Sequence, residues 1–310
     1  MKIDTLSSHD ERLRRAVPHL VAQVRDGEAA VSLEELASAT NTSPDYLRRV
    51  FRHQVGEPIH RYVRRLRLSL AAYRLVYGDR TIIDIAVSAG YNSHAAFTRA
   101  FRSAYGVCPT DLRTNPQNTS WPTTGPGGSD VRPAAIPQRR VAFCSHLGPI
   151  DSADTAWERL RGWLTTHGHC PARSKALGVS YDDPDFFIGA RTRHDICVPV
   201  PDRFAPQGHD GMGVQMVPAS TGLAIRHVGP PELIPFTYMH LAVSAAVKGM
   251  GTERPPLPYY LEFSSFPSAH PERQVAVDVY LMPNARRETA TSDSGWSGWQ
   301  TTRNHRQHLV

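Results

Sequence analysis

One pattern occurs twice in this chain, fifty residues apart. Ser43, Leu47, Arg49, Phe51, Arg52 and Gly56 are answered by Ser93, Phe97, Arg99, Phe101, Arg102 and Gly106. Self-similarity at a fixed period constrains the fold strongly, because a unit too small to bury its apolar face alone must pack against its neighbours. Each copy reads as two short helices joined by a tight turn. In the first, Ser32 followed by Glu35 is a capping box for a helix running to Ala39. Ser43, with Pro44 behind it, opens a second helix whose inner face is Tyr46, Leu47, Val50 and Phe51, and Gly56 ends it. In the second copy, residues 82–89 precede a Gly90-Tyr91-Asn92 turn and a helix from Ser93 to Gly106. Between the copies, residues 59–77 predict a long helix with Ile59, Tyr62, Val63, Leu66, Leu70 and Tyr73 inward and Arg61, Arg64, Arg65 and Arg67 outward. Leu13, Val17, Leu20, Val21 and Val24 predict one more over 11–25, with Pro18 marking a kink or a later start.

Charge follows the same division. Residues 1–114 carry 17 Lys and Arg against 12 Asp and Glu, a net of +5, and the remaining residues carry 18 against 17. Only Lys2, Lys175 and Lys248 of the 35 basic residues are lysines. Arginine's rigid fork suits phosphate and guanine, although a basic helical face is often simply solvated.

Residues 115–137, rich in Pro, Gly, Ser, Thr and Asn, read as a flexible linker. Beyond it the texture is mixed α/β. Strands are expected at 140–145, 176–181, 191–200, 259–266 and 274–281, helices at 152–166 and 232–248, and a hairpin from 213–217 and 222–228. A second repeat appears here: a shift of 81 sets His146-Leu147-Gly148-Pro149 on His227-Val228-Gly229-Pro230, Trp157 on Tyr238 and Leu160 on Leu241. Two like halves about a pseudo-dyad leave a cleft at their junction, a usual place for a small-molecule pocket. Residues 284–310 have no periodicity and are expected to be disordered.

The first module, residues 8–114, resembles the DNA-binding domain of the AraC family. The most diagnostic stretch is 90–113, GYNSHAAFTRAFRSAYGVCPTDLR, with Gly90-Tyr91, Ser93, Phe97, Arg99, Phe101, Gly106, Pro109 and Arg113 in the family's order. Cys108 departs from the small polar residue usual before that proline. The second module, residues 138–283, resembles the GyrI-like effector-binding domain. Its signature lies in the two H-x-G-P turns, the run AWERLRGW at 156–163, Gly178 to Pro184, Arg193 to Cys197, and Tyr260-Leu261-Glu262. The expected fold class is multidomain: an all-α tandem helix-turn-helix domain, then an α+β GyrI-like domain of two pseudo-symmetric repeats, in a Rob-like layout. The resemblance implies a transcription regulator with double-stranded DNA and a small-molecule effector as partners, and RNA polymerase as a further candidate.

Helical period turns Pro44, Asp45, Arg48, Arg49 and Arg52 outward on the first recognition helix, and His94, Ala95, Thr98, Arg99 and Arg102 on the second. The resemblance assigns base reading to Asp45, Arg48, Arg49, His94, Ala95 and Arg99. Asp45 could accept from a cytosine amine or orient Arg48 or Arg49, and any one arginine could clamp phosphate or remain solvated. Two readers in one chain would enter successive major grooves, roughly 34 Å apart, on an asymmetric site.

For the second module, the resemblance puts Glu262 at a pocket floor, pairing with lipophilic cations. Trp157, Tyr238 and Tyr260 would add cation–π contact, with Phe236 a further candidate. A solvent-facing Glu262, and Trp157 and Tyr238 as plain core, are the alternatives. Two other functions stay open: a hydrolase using Glu262 as general base, and a protein-interaction module. A regulator without catalytic residues is the preferred reading. No cofactor or metal is expected, because His167-Gly168-His169-Cys170 and the pair His305 and His308 lack converging partners. The four cysteines are far apart, with no C-x-x-C pair, and read as reduced thiols. No apolar run reaches the eighteen or so residues of a membrane span, and the opening MKIDTLSSHDERLRR has no apolar core, so a cytoplasmic protein is expected.

Overall fold

The structure is a computed structural model that describes residues 16–17, 19–24, 32–55, 57–125, 128–148, 150–170, 175–183, 192–207, 210–250, 257–264 and 275–282. The expected tail at 284–310 lies outside the described residues. Residues 16–17 and 19–24, within the helix expected over 11–25, are helical, and two units of like build follow them. α1 (Leu33–Ala39) and α2 (Pro44–Val55) form the first, and α4 (Ile82–Ser88) and α5 (His94–Tyr105) form the second. α3 (Ile59–Tyr77) joins them. Their local chemistry repeats as well as their shape. The Ser32 hydroxyl accepts from the Glu35 amide at the start of α1, and Thr81 accepts from the Asp84 amide at the start of α4. Ser43 and Ser93 do the same for α2 and α5, each bond being 3.2 Å long. The turn is one residue longer in the second unit, so α1 and α4 are offset by 49 positions and α2 and α5 by 50. Asn41 and Gly90 hold equivalent places in the two turns with φ of 51° and 82°. Asparagine tolerates that left-handed region and glycine enters it freely.

α6 (Pro109–Thr114) closes the helical part. Arg113 in its last turn donates to the Leu75 carbonyl at 3.3 Å and the Arg74 carbonyl at 3.4 Å, satisfying acceptors near the end of α3. α3 is buried along most of its length, from Tyr62 to Leu75. Both helix-turn-helix units pack against it, and it has a third neighbour in the second domain.

That second domain is one antiparallel sheet with two helices on one face. Its strands are β1 (Arg132–Ile136), β2 (Arg139–Leu147), β3 (Ala176–Ser180), β4 (Arg193–Pro199), β5 (Met212–Val217), β6 (Ser220–Gly229), β7 (Tyr259–Phe263) and β8 (Val275–Leu281). The order across the sheet is β1-β6-β8-β7-β3-β4-β2-β5. The repeat is realised element by element: β1, β2, α7 (Asp154–Thr166), β3 and β4 correspond to β5, β6, α8 (Ile234–Val247), β7 and β8, with the offset of 81 growing to 83 at β3 and β7 and 82 at β4 and β8. The pseudo-dyad passes between β3 and β7, which pair Gly178 with Leu261.

Two expectations are corrected here. The hairpin of 213–217 with 222–228 does not form. β5 pairs with β2, and β6 pairs with β1 and β8, so these consecutive strands lie at opposite ends of the sheet. Each repeat gives its first strand to the other: Ile136 faces Ser220 in one half, and Val217 faces Arg139 in the other, the same register shifted by 81. The flexible linker at 115–137 is also corrected, because part of it is regular structure. β1 is an edge strand, where Pro133 is tolerated without breaking the ladder. Ahead of β1, Trp121 stacks on Tyr105 with ring centroids 4.5 Å apart.

α8 explains how the domains meet. Its residues from Ile234 to Ala246 are buried except Pro235, which is half-buried. A helix apolar all round needs cover on every side. One side of α8 lies on β6 and β8, and the other packs on α3. Tyr73 of α3 meets Tyr238 of α8 with centroids 6.2 Å apart, and the Tyr77 hydroxyl donates to the Ala242 carbonyl at 2.8 Å.

Candidate nucleic-acid interface and effector region

The outward face of the two recognition helices is as the helical period requires. Asp45, Arg48, Arg49 and Arg52 on α2, and His94, Ala95, Arg99 and Arg102 on α5, are exposed. Thr98 is half-buried, and its Oγ1 has no hydrogen-bond partner among the described residues. The Asp45 carboxylate accepts from Arg48 Nη1 at 2.9 Å. That pair is 90% and 58% exposed, so it contributes under about 1 kcal/mol and yields readily to a better partner. The Arg49 guanidinium lies 5.8 Å from the Tyr46 ring centre. Between the two units runs a cleft of about 780 Å³ lined by Arg48, Arg64, Arg67, Arg99 and His60. The contribution of α3 to this surface was missed at the level of sequence. Its four closely spaced arginines were visible, but only packing shows that Arg64 and Arg67 turn toward the readers.

The five residues assigned to the effector do not share a surface. Side chains alternate along β7, so Tyr259, Leu261 and Phe263 face the helices while Tyr260 and Glu262 face away. Trp157 of α7 meets Phe263 edge-on at 5.9 Å, and Tyr238 of α8 stacks on Tyr259 at 4.3 Å. These two aromatics therefore occupy equivalent positions over the central strand, both buried, as is Phe236. Tyr260 belongs to the core on the opposite face, with Leu177, Val179 and Tyr280. Glu262, on that same face, accepts from Arg139 at 3.0 Å and from the Tyr280 hydroxyl at 3.2 Å, with Lys175 at 3.6 Å. Burial alone would raise its pKa, but the bond from Arg139 and the charge of Lys175 outweigh this and hold the carboxyl below its ordinary value. A carboxylate so stabilised is a weak general base.

On the helix face the acidic group is Asp183, which is 6% exposed. Burial first, and then the Asp183 charge, push the hydroxyls of Tyr77 and Tyr238 up. The sequence motif around Asp183 was visible, but its position beside α3 depends on how the domains dock.

The histidines of the repeat hold turns. His227 bridges the Thr237 hydroxyl at 2.8 Å and the Pro230 carbonyl at 3.1 Å, tying β6 to α8. His194 bonds Ser180 at 2.7 Å and stacks on His146. Burial lowers both His194 and His227 to about 4. In the loop after α7, His167 bonds the Trp163 carbonyl at 2.8 Å, and His169 packs near Phe204. Among the described residues no three His, Cys, Asp or Glu side chains converge as metal ligands would. His305 and His308 lie outside the described residues. No helix among the described residues is long and apolar enough to cross a membrane.

Comparison with known proteins matches this geometry. Residues 36–115 fit the profile of a helix-turn-helix domain, and residues 129–282 fit that of the GyrI-like small molecule binding domain. Over 83 residues the chain is 36% identical to the regulatory protein SoxS of Salmonella typhimurium, covering 27% of this chain and 78% of that protein. It is 37% identical over 84 residues to an uncharacterized HTH-type transcriptional regulator of Bacillus subtilis, YbfP, covering 27% of this chain and 28% of that one. It is 35% identical over 86 residues to the HTH-type transcriptional activator RhaS of Mannheimia succiniciproducens, covering 28% of this chain and 32% of that one. The match thus spans about three tenths of the latter two relatives. A pair of helix-turn-helix units on one connecting helix defines the chain as a DNA-binding regulator by class. The chain belongs to the AraC family of transcription regulators, with a GyrI-like domain following the helix-turn-helix part.

Proposed function

We propose that this regulator reads an asymmetric DNA site with α2 and α5, and that a lipophilic or cationic small molecule in the GyrI-like domain modulates that reading. Asp45, Arg48, Arg49, His94, Ala95 and Arg99 meet base edges, and Arg52, Thr98 and Arg102 hold the flanking backbone. The observation that carries the coupling is the packing of α3 on α8. α3 sets the spacing of the two readers, and α8 lies on the sheet, so any ligand that shifts α8 also shifts α3. A two-state element biased by both sites is what such coupling requires.

For the ligand, the helix face offers Trp157, Tyr238 and Phe236 with Asp183 as counter-ion. The opposite face offers Tyr260 with Glu262. Asp183 is favoured, because its charge acts on Tyr73, Tyr77 and Tyr238, the aromatic residues where α3 meets α8. RNA polymerase is the further partner that activation would need.

The test begins with selection of bound sequences from random DNA. Affinity for the selected site is then measured with and without tetraphenylphosphonium. We expect the cation to change the affinity, Asp183→Asn to weaken its binding, and Glu262→Gln to leave it nearly unchanged. The reverse order of the two variants would move the site to the Glu262 face, and absence of any DNA preference would remove the regulator reading.

A further inference from the structure

A second groove, of about 580 Å³, opens where the two domains meet. Arg61, Arg64 and Arg65 of α3 line one wall, Tyr105 of α5 another, and His240 of α8 stands behind the Pro122–Gly125 segment. His240 is 6% exposed, and its Nε2 has no hydrogen-bond partner among the described residues. The ring bonds to the Pro122 carbonyl. A carbonyl only accepts, so the bond must come from Nδ1–H, and Nε2 of the neutral ring is left as a bare acceptor. Burial keeps the ring neutral, with a pKa lowered to about 4. Nε2 lies 3.5 Å from where a Cβ on Gly125 would stand, and Gly125 lines the same groove. A buried acceptor left unmet calls for a donor.

The wall opposite supplies positive charge. Arg65 is held by Glu57 at 2.8 Å, while Arg61 and Arg64 are exposed. Tyr105 and Trp121, stacked at 4.5 Å, and Trp121 with His240, at 5.8 Å, form an aromatic edge between the two. We infer that this groove is a binding site for a small organic anion that also carries a hydroxyl or N–H donor. The anion pairs with Arg61 and Arg64, and the donor meets His240 Nε2. Arg64 also lines the cleft between the recognition helices, so an anion bound here draws on an arginine that faces DNA. The ligand therefore weakens DNA binding. That coupling rests on the DNA-reading function proposed above, whereas the site itself does not.

The probe is 4-hydroxybenzoate, titrated into the full-length protein. Benzoate, which lacks the donor, and 4-hydroxybenzyl alcohol, which lacks the charge, are the controls. We expect each control to bind at least about fivefold more weakly, the loss of one hydrogen bond or ion pair. His240→Phe should weaken 4-hydroxybenzoate similarly while leaving benzoate unchanged. In the unaltered protein labelled with 15N-histidine, the Nε2 resonance of His240 should shift on titration, a readout that holds even if the variant folds poorly. Equal affinity for all three probes, no binding, or an unmoved Nε2 resonance would overturn the site. If the site stands and 4-hydroxybenzoate leaves affinity for the selected DNA unchanged, the coupling through Arg64 is wrong. Loss of DNA preference in the unliganded protein would instead count against the DNA reading alone.

Discussion

Arg49 and Arg99 stand at equivalent positions of the two readers, each exposed. A bidentate arginine–guanine pair is worth ~1–3 kcal/mol of discrimination. Arg49→Ala and Arg99→Ala should therefore each relax preference at one part of the site, about tenfold or more by competition against single-base variants. An equal loss of affinity for every sequence would identify phosphate clamps. The buried histidines carry a pH signature. His194, His227 and His240 titrate near about 4 in the fold against 6.5 when free, so the folded state binds fewer protons than the unfolded one. Their contribution is fully present above about pH 6.5 and is lost as pH falls towards 4. Thermal melts between pH 7 and 4.5 should show a falling midpoint, and replacing His227 by Gln should flatten the curve. At this scale the sequence was informative about direction and silent about partners. Helical period turned Arg49 and Arg99 outward correctly. Whether Asp45 orients Arg48, and which face of β7 carries Glu262, depend on rotamers and strand register that period alone leaves open.

The helices of the first domain were legible because their ends are chemically marked. Ser32, Ser43, Thr81 and Ser93 all accept the amide that an N-cap should. Ser93→Ala should cost about 1 kcal/mol, read as a lowered denaturation midpoint with the DNA contacts of α5 weakened in parallel. Strand existence was also largely legible, but pairing was not. A hairpin is the default for two consecutive strands joined by a short connection, here residues 218–221 between the strands expected at 213–217 and 222–228. The exchange of β1 and β5 between the halves overrides that default. It could be inferred only from the 81-residue repeat extended back to β1, whose Arg-Pro-Ala-Ala-Ile carries little strand propensity. Residues 115–137 read as a linker for a related reason: their polar composition hides one aromatic anchor, Trp121, and one edge strand.

On the scale of the whole molecule, one hydrophobic core runs through both domains, and a second lies on the far face of the sheet. Leu66 and Tyr73 of α3 belong to the same buried cluster as Tyr238 and Leu241 of α8. A protein consisting of residues 115–310 alone should expose the outer side of α8. We expect it to self-associate by light scattering, and full solubility as a monomer would contradict the packing of α3 on α8. No sequence signal marks such an interface beyond α8 being apolar all round, which a solitary core helix would share. The row of rings from Phe97 through Phe101, Tyr105 and Trp121 to His240 spans the junction, with neighbouring centroids 5.5, 4.9, 4.5 and 5.8 Å apart. It also equips the molecule with an optical reporter. The Trp121 indole is wedged between a phenol of the helix-turn-helix half and an imidazole of the GyrI-like half. Any parting of the halves must wet it, so its fluorescence should redden while the chain stays folded.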